Sequence, residues 1–119
     1  MSKNIVKDKS FGFAIRIVRL YQFLIGEKKE FVLSKQLLRS GTSVGAMVRE
    51  AEHAETKKDF IHKMAIAQEE INESIYWLEL LKETDYLKET EFESLNSEAV
   101  EIIKLTTIII KSAKTNINN

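Results

Sequence analysis

Cysteine and proline are both absent from the 119 residues, and glycine occurs only four times. Without cysteine the chain has no disulfide framework and no thiolate metal site. Strand-rich folds need many turns, and turns draw on glycine and proline, so a chain this poor in breakers is expected to be helical. Long apolar runs are missing as well. No stretch approaches the roughly 18–20 apolar residues of a membrane span. The N-terminal MSKNIVKDKSFGFAIRIVRL is basic, but Arg16 and Arg19 interrupt its apolar part, so it does not read as a signal peptide. A cytoplasmic protein without membrane contact is expected.

Hydrophobic residues make up 44% of the chain and charged residues 30%, which suits one folded domain over residues 1–119. Net charge is zero, yet its distribution is uneven. Residues 1–40 hold nine Lys/Arg against three Asp/Glu, and residues 64–103 hold two against eleven. This segregation has two readings. Antiparallel helices of opposite sign attract one another, or the basic half is a surface for RNA or DNA. On the second reading the candidate contacts are Lys3, Lys7, Arg16, Arg19, Lys28, Lys29 and Lys35. No groove-reading motif or base-stacking signature accompanies them.

Apolar residues recur at helical spacing in four segments. Helix one is expected from Ser10, as N-cap, to Ile25, with Gly26 as its stop. Its expected core stripe is Phe11, Ala14, Val18, Tyr21 and Ile25, leaving Phe13, Leu20 and Phe23 off the stripe. Helix two starts near Ser34, after the charged connection EKKEF, and faces the core with Leu33, Leu37, Val44, Val48 and Ala51. Helix three, capped by Thr56 or Asp59, runs to about Lys82 on Phe60, Met64, Ala67, Ile71, Ile75 and Leu78. Helix four starts between Glu91 and Ser97 and ends near Lys114, with Phe92, Leu95, Ala99, Ile102, Ile103, Thr106, Ile110 and Ala113 inward. Its β-branched run LTTIII favours a strand locally, but the longer helical period outweighs that. Short links between four helices imply an all-α, antiparallel up-down-up-down four-helix bundle.

Helix two is unusual in keeping Gly41 and Gly45, each costing about 1 kcal/mol relative to alanine in a helix. They make a smooth flank where another helix can approach closely. Arg39, Ser43 and Glu50 fall on a different, polar face, and Glu73 and the single tryptophan, Trp77, share a second face of helix three. These seven residues are the candidates for assembly, because aromatic side chains favour interface cores.

Catalysis finds little support. Bundles can hold di-metal centres, and Glu50 with His53, and Asp59 with His62, have a suitable spacing. Both histidines, however, lie opposite the core stripes and read as solvent-facing. No nucleophile elbow and no glycine-rich phosphate loop are present. Neither a cofactor, a metal site nor an enzymatic activity is expected.

The stretches QLLRSGTSVGAMVREA and KKDFIHKMAIAQEEINESIYWLELL resemble the 23S ribosomal RNA intervening-sequence proteins. The shared pattern falls on Leu38, Arg39, Ser40, Ser43, Val44 and Glu50, then on Asp59, Phe60, Ala67, Glu73, Trp77 and Leu78. The chain departs from it at Met47, where many members have Asn, and at Ala51, where they have Gly. The resemblance implies a four-helix bundle assembled as a homopentamer. The family is also similar to retroelement accessory variability proteins, which are basic and partner a reverse transcriptase, whereas this chain is neutral. The expected function is therefore a non-enzymatic, ring-forming interaction protein holding a protein or nucleic-acid partner. The alternative is a nucleic-acid-binding accessory protein using the basic N-terminal half.

Overall fold

The computed structural model describes residues 4–118, which form four helices and, among the described residues, no strand. They are α1 (Ile5–Gly26), α2 (Leu33–Glu52), α3 (Lys57–Glu83) and α4 (Glu89–Asn118). The up-down-up-down bundle measures 52 × 25 × 22 Å. Each helix packs on its two neighbours around the bundle, and the backbones of the diagonal pairs stay apart. The seams along α2 and α3 are extensive, while α1 and α4 meet over much less of their length.

The core stripes of α2, α3 and α4 fall where their spacing predicts. Leu37, Val44, Val48 and Ala51 of α2 are buried, as are Met64, Ala67, Ile71 and Leu78 of α3. In α4 the buried set includes Leu95, Ala99, Ile102 and Thr106. Leu87 and Tyr86, in the link before α4, close one end of the bundle.

Helix α1 is the exception. Its core side is Phe13, Ile17, Leu20 and Leu24, whereas Phe11 and Val18 of the expected stripe are exposed. The helix is apolar on two adjoining faces, so periodicity alone does not select between them. Its flanking charges fit the orientation observed. Lys9 and Arg16 reach Glu101 and Glu98 of α4, and Lys7 reaches Glu52 of α2. The Phe13–Leu24 stripe is the one that lies between these two sets of lysine and arginine. Such exposed pairs contribute little each. The gain comes from burying four large side chains, worth about 1.5–3 kcal/mol apiece.

Helix boundaries also shift. The N-cap of α1 is Asn4, whose side chain accepts the Lys7 N–H at 3.1 Å, so the helix starts before Ser10. Ser10 instead lies buried inside the helix and donates to the Lys7 carbonyl at 3.1 Å. Thr56 caps α3 by accepting the Asp59 N–H at 3.0 Å. Helix α4 begins earlier and ends later than its apolar pattern indicates.

The start of α2 has no capping side chain at Val32. Glu30 takes that part from the preceding link. Its carboxylate accepts the N–H groups of Val32, Leu33 and Ser34 at 3.1, 3.0 and 2.6 Å, and the Ser34 hydroxyl donates back to the Glu30 carbonyl at 2.7 Å. Otherwise orphaned helix donors are thus satisfied by a negative charge at the positive end of the helix. Burial pushes the Glu30 carboxyl up, but the three N–H donors outweigh it and hold it below the usual range.

Both glycines of α2 face α1 within the chain. A Cβ on Gly41 would stand 2.8 Å from Cγ1 and Cγ2 of Ile17, close to the α1 backbone, where nothing flexible can yield. At Gly45 the nearest atom is the Ser10 carbonyl oxygen at 3.4 Å, an ordinary contact. Neither has a positive φ, so the need at Gly41 is for space.

Gly41→Ala is therefore expected to lower stability, its overpacking cost of about 1–3 kcal/mol exceeding the helix-propensity gain. Gly45→Ala is expected to be neutral or stabilising by up to about 1 kcal/mol. Thermal melts of the two variants check this opposition. For Glu30, whose folded pKa is lowered, the stabilisation is present above its unfolded value and is lost as pH falls through the lowered folded value. Glu30→Gln is expected to lower the melting temperature at pH 7, with the gap to the parent closing as the pH falls through the lowered folded value of Glu30. Melting curves across pH 2–7 measure it.

Candidate functional site

Arg39, Ser43, Glu50, Glu73 and Trp77 come together along the α2–α3 seam. Arg39 projects from α2 to two acids of α3, pairing with Glu70 at 3.1 Å and with Glu73. Glu73 also accepts the Trp77 indole N–H at 2.9 Å, one turn along α3. The indole hydrogen bond and then the Arg39 guanidinium hold the Glu73 carboxyl below its usual range. Ser43 turns its hydroxyl back to the Arg39 carbonyl at 2.6 Å, and Glu50 pairs with Lys63 of α3 at 2.8 Å. Beneath this layer the buried hydroxyl of Ser74 donates to that of Ser40 at 2.9 Å, joining the two helices inside the bundle. The Trp77 ring is half-buried against the core, with Tyr76 edge-on at 4.9 Å between centroids.

The arrangement is an inter-helix clasp. Its acids are engaged by an arginine, a lysine and an indole within the same chain. Gly41 and Gly45 stand apart from it, on the α1–α2 seam.

The candidate nucleic-acid contacts do not form one patch. Lys3 lies outside the described residues. Lys7 and Arg16 are paired with Glu52 and Glu98, and Arg16 also donates to the Ser94 hydroxyl at 3.0 Å. Lys28 lies over the Phe23 ring at 5.9 Å, and Lys29, at a positive φ of 54°, turns the link between α1 and α2. Arg19, Lys28, Lys29 and Lys35 are exposed towards that end of the bundle. Lys7 sits at the opposite end, about 30 Å away along α1 at 1.5 Å per residue. His53 and His62 are both exposed. Among the described residues no group of three metal-ligating side chains comes together.

A further feature is the outward side of α1. Phe11, Ile15 and Val18 are 51%, 41% and 37% exposed, and with Ala14, Arg19 and Gln22 they line a shallow groove. The Arg49 guanidinium of α2 lies over the Phe11 ring, 4.9 Å from its centroid. Periodicity finds Phe11, Ala14 and Val18 but assigns them inward. Ile15 and Glu30 escape the sequence reading altogether. Ile15 lies off the chosen stripe, and Glu30 reads as one more charge in a polar link.

Residues 2–107 match the description 23S rRNA-intervening sequence protein. The chain belongs to that family. Among solved structures, a protein of unknown function from the S23 ribosomal protein family of Bacteroides thetaiotaomicron VPI-5482, determined at 1.70 Å, is similar to this chain. The two are 58% identical, with a TM-score of 0.90 over 91% of this chain and 96% of that one. No curated protein matches. About half of the residues that carry the intervening-sequence resemblance in α2 and α3 belong to the clasp, and Val44, Ala67 and Leu78 belong to the core. Leu38 and Ser40 lie on α2 beside Arg39, and Ala51 is a core residue where many members have glycine.

Trp77 is the single tryptophan, so its emission reports on Glu73. Acidification of the folded protein is expected to change that emission with a midpoint below the usual glutamate range. Arg39→Met should move the midpoint upward, because one of the two groups that favour the charged carboxylate is gone. A fluorescence titration of parent and variant measures both.

Proposed function

We propose that this protein is a non-enzymatic interaction protein that acts as a homo-oligomer in the cytoplasm. Family resemblance makes that assembly a pentameric ring. The observation that carries the reading is the outward strip of α1, where three large apolar side chains in helical register remain uncovered. Contiguous apolar surface of this kind marks interaction sites on soluble proteins. A bundle with a second apolar face on a helix already packed into the core is suited to further packing by another chain.

The chemistry of the titratable groups supports a non-catalytic role. Glu30, Arg39, Lys63, Glu73 and Lys82 depart from ordinary acidity, and each does so through a helix cap, an ion pair or, first of all at Glu73, the Trp77 indole. Catalytic acids and bases are tuned by burial in a cleft and keep an open approach for substrate. Glu30 is buried but spends its lone pairs on three backbone N–H groups, and Lys82 lines a cleft but is held by Glu83 and Glu89.

A second reading, nucleic-acid binding, is favoured by the exposed Arg19, Lys28, Lys29 and Lys35 towards one bundle end, beside Phe31 at 59% exposure. Five copies in a ring would repeat that end five times and raise its avidity. Its binding to RNA or DNA would fall steeply with salt.

Light scattering coupled to size exclusion is expected to give the parent protein a multimeric mass, five chains by the family resemblance. Val18→Glu places a charge in the strip and should shift the protein to monomer with its helical circular dichroism intact. A parent chain that stays monomeric at every concentration overturns the reading. Mobility shifts with RNA and DNA between low and physiological salt decide the second one.

A further inference from the structure

The outward surfaces of the bundle differ in sign as well as in polarity. Around the Phe11–Ile15–Val18 strip the exposed charges of α1 and α2 are Arg19, Lys35 and Arg49, none of which enters an ion pair among the described residues. Asp8 lies at the far end of the strip, in the first turn of α1. The part of α2 beside the strip is small or neutral, with Leu38, Thr42 and Ala46.

Helix α3, diagonal to α1, presents the opposite character. Its outer side carries Tyr76, 58% exposed, together with Glu69, Asn72 and Glu79. Glu69 and Glu79 are exposed and, like the three cations, enter no ion pair among the described residues. Tyr76 stands edge-on against Trp77. Glu69 and Glu79 are about 15 Å apart along α3, at 1.5 Å per helical residue, which is shorter than the roughly 21 Å from Lys35 to Arg49 along α2.

These two surfaces cannot meet within one chain, because they face outward on diagonal helices whose backbones stay apart. Two α1 strips set against each other would bring Arg19 and Arg49 of both copies into one interface, a like-charge arrangement that is disfavoured. A cationic apolar strip and an anionic aromatic ridge on different sides of one molecule suit head-to-tail contact. Such heterologous contact propagates from copy to copy and closes into a ring when the rotation permits.

We propose that the partner of the α1–α2 strip is a second copy of this chain, seated by the acidic Tyr76 ridge of its α3. This rests on the self-association reading above and adds which surface meets which. Arg19 and Arg49 of one copy neutralise Glu69 and Glu79 of the next, and the Tyr76 ring covers the Phe11–Val18 strip.

Charge reversal tests it. The parent, Arg19→Glu/Arg49→Glu, Glu69→Lys/Glu79→Lys and the chain carrying all four changes are compared by light scattering over a concentration series at low salt. Each double variant should need at least about ten-fold more protein for half-assembly. The fourfold variant should recover towards the parent, because every interface again pairs opposite charges. Melting curves and circular dichroism establish that each variant is folded. If a reversal variant does not fold, the milder Arg19→Gln/Arg49→Gln and Glu69→Gln/Glu79→Gln variants must still weaken assembly. A parent that associates while the folded α3 variants associate equally well overturns the pairing of surfaces and leaves self-association standing. Folded single-side variants that dissociate with no recovery in the fourfold variant also overturn it. A parent that is monomeric throughout removes both.

Discussion

The bundle depends on how closely its second helix can approach its neighbours on either side. Towards α1, Gly41 leaves room for Ile17 and Gly45 lies against the Ser10 main chain. Towards α3, Ser40 meets Ser74 through a buried hydroxyl pair. Small side chains on both flanks let α2 sit between two helices while Leu37, Val44 and Val48 fill the interior between the flanks. Close approach multiplies dispersion contacts, which are weak singly and large together. The hydroxyls add no unpaired polar atom: among the described residues every buried side-chain nitrogen and oxygen has a partner.

The charge segregation of the sequence has a matching logic. Part of the basic excess of α1 is spent inside the molecule, where Lys9 and Arg16 reach α4 and Lys7 reaches α2. Part of the acidic excess of α3 is held by Arg39 in the clasp. What remains is sorted by surface, cations beside the α1 strip and carboxylates beside Tyr76. A neutral chain can thus present two faces of opposite sign, a property that its net charge conceals.

The fold class, the helix count and the inward faces of three helices were legible in the spacing of apolar residues. The resemblance in α2 and α3 pointed to the same family as the match over residues 2–107. Helix α1 was not legible in the same way. Phe11 and Phe13, or Val18 and Leu20, satisfy helical periodicity equally well, and the positions of Gly41 on α2, which receives Ile17, and of the acids on α2 and α4 separate them. Those positions are three-dimensional facts. Glu30 was hidden for a related reason: a carboxylate in a polar link becomes a cap only once the link folds back on the helix it precedes. The seven assembly candidates were grouped as surface features. The structure divides them between a glycine seam inside the chain and a clasp whose acids are already engaged. The uncovered apolar surface lay in the residues that spacing had placed inside.

The uneven closing of the bundle bears on how the chain acquires its shape. Its extensive seams join helices that follow one another directly along the chain, and the seam between first and last helix is the slight one. Most native contacts therefore close only a short loop, at small entropic expense, a topology associated with rapid folding. The hairpin of α2 and α3, tied by serine hydroxyls and by Arg39, has what an early nucleus needs. Docking of α1 against α4 is then expected to come late, the one step in which the two ends of the chain must find each other.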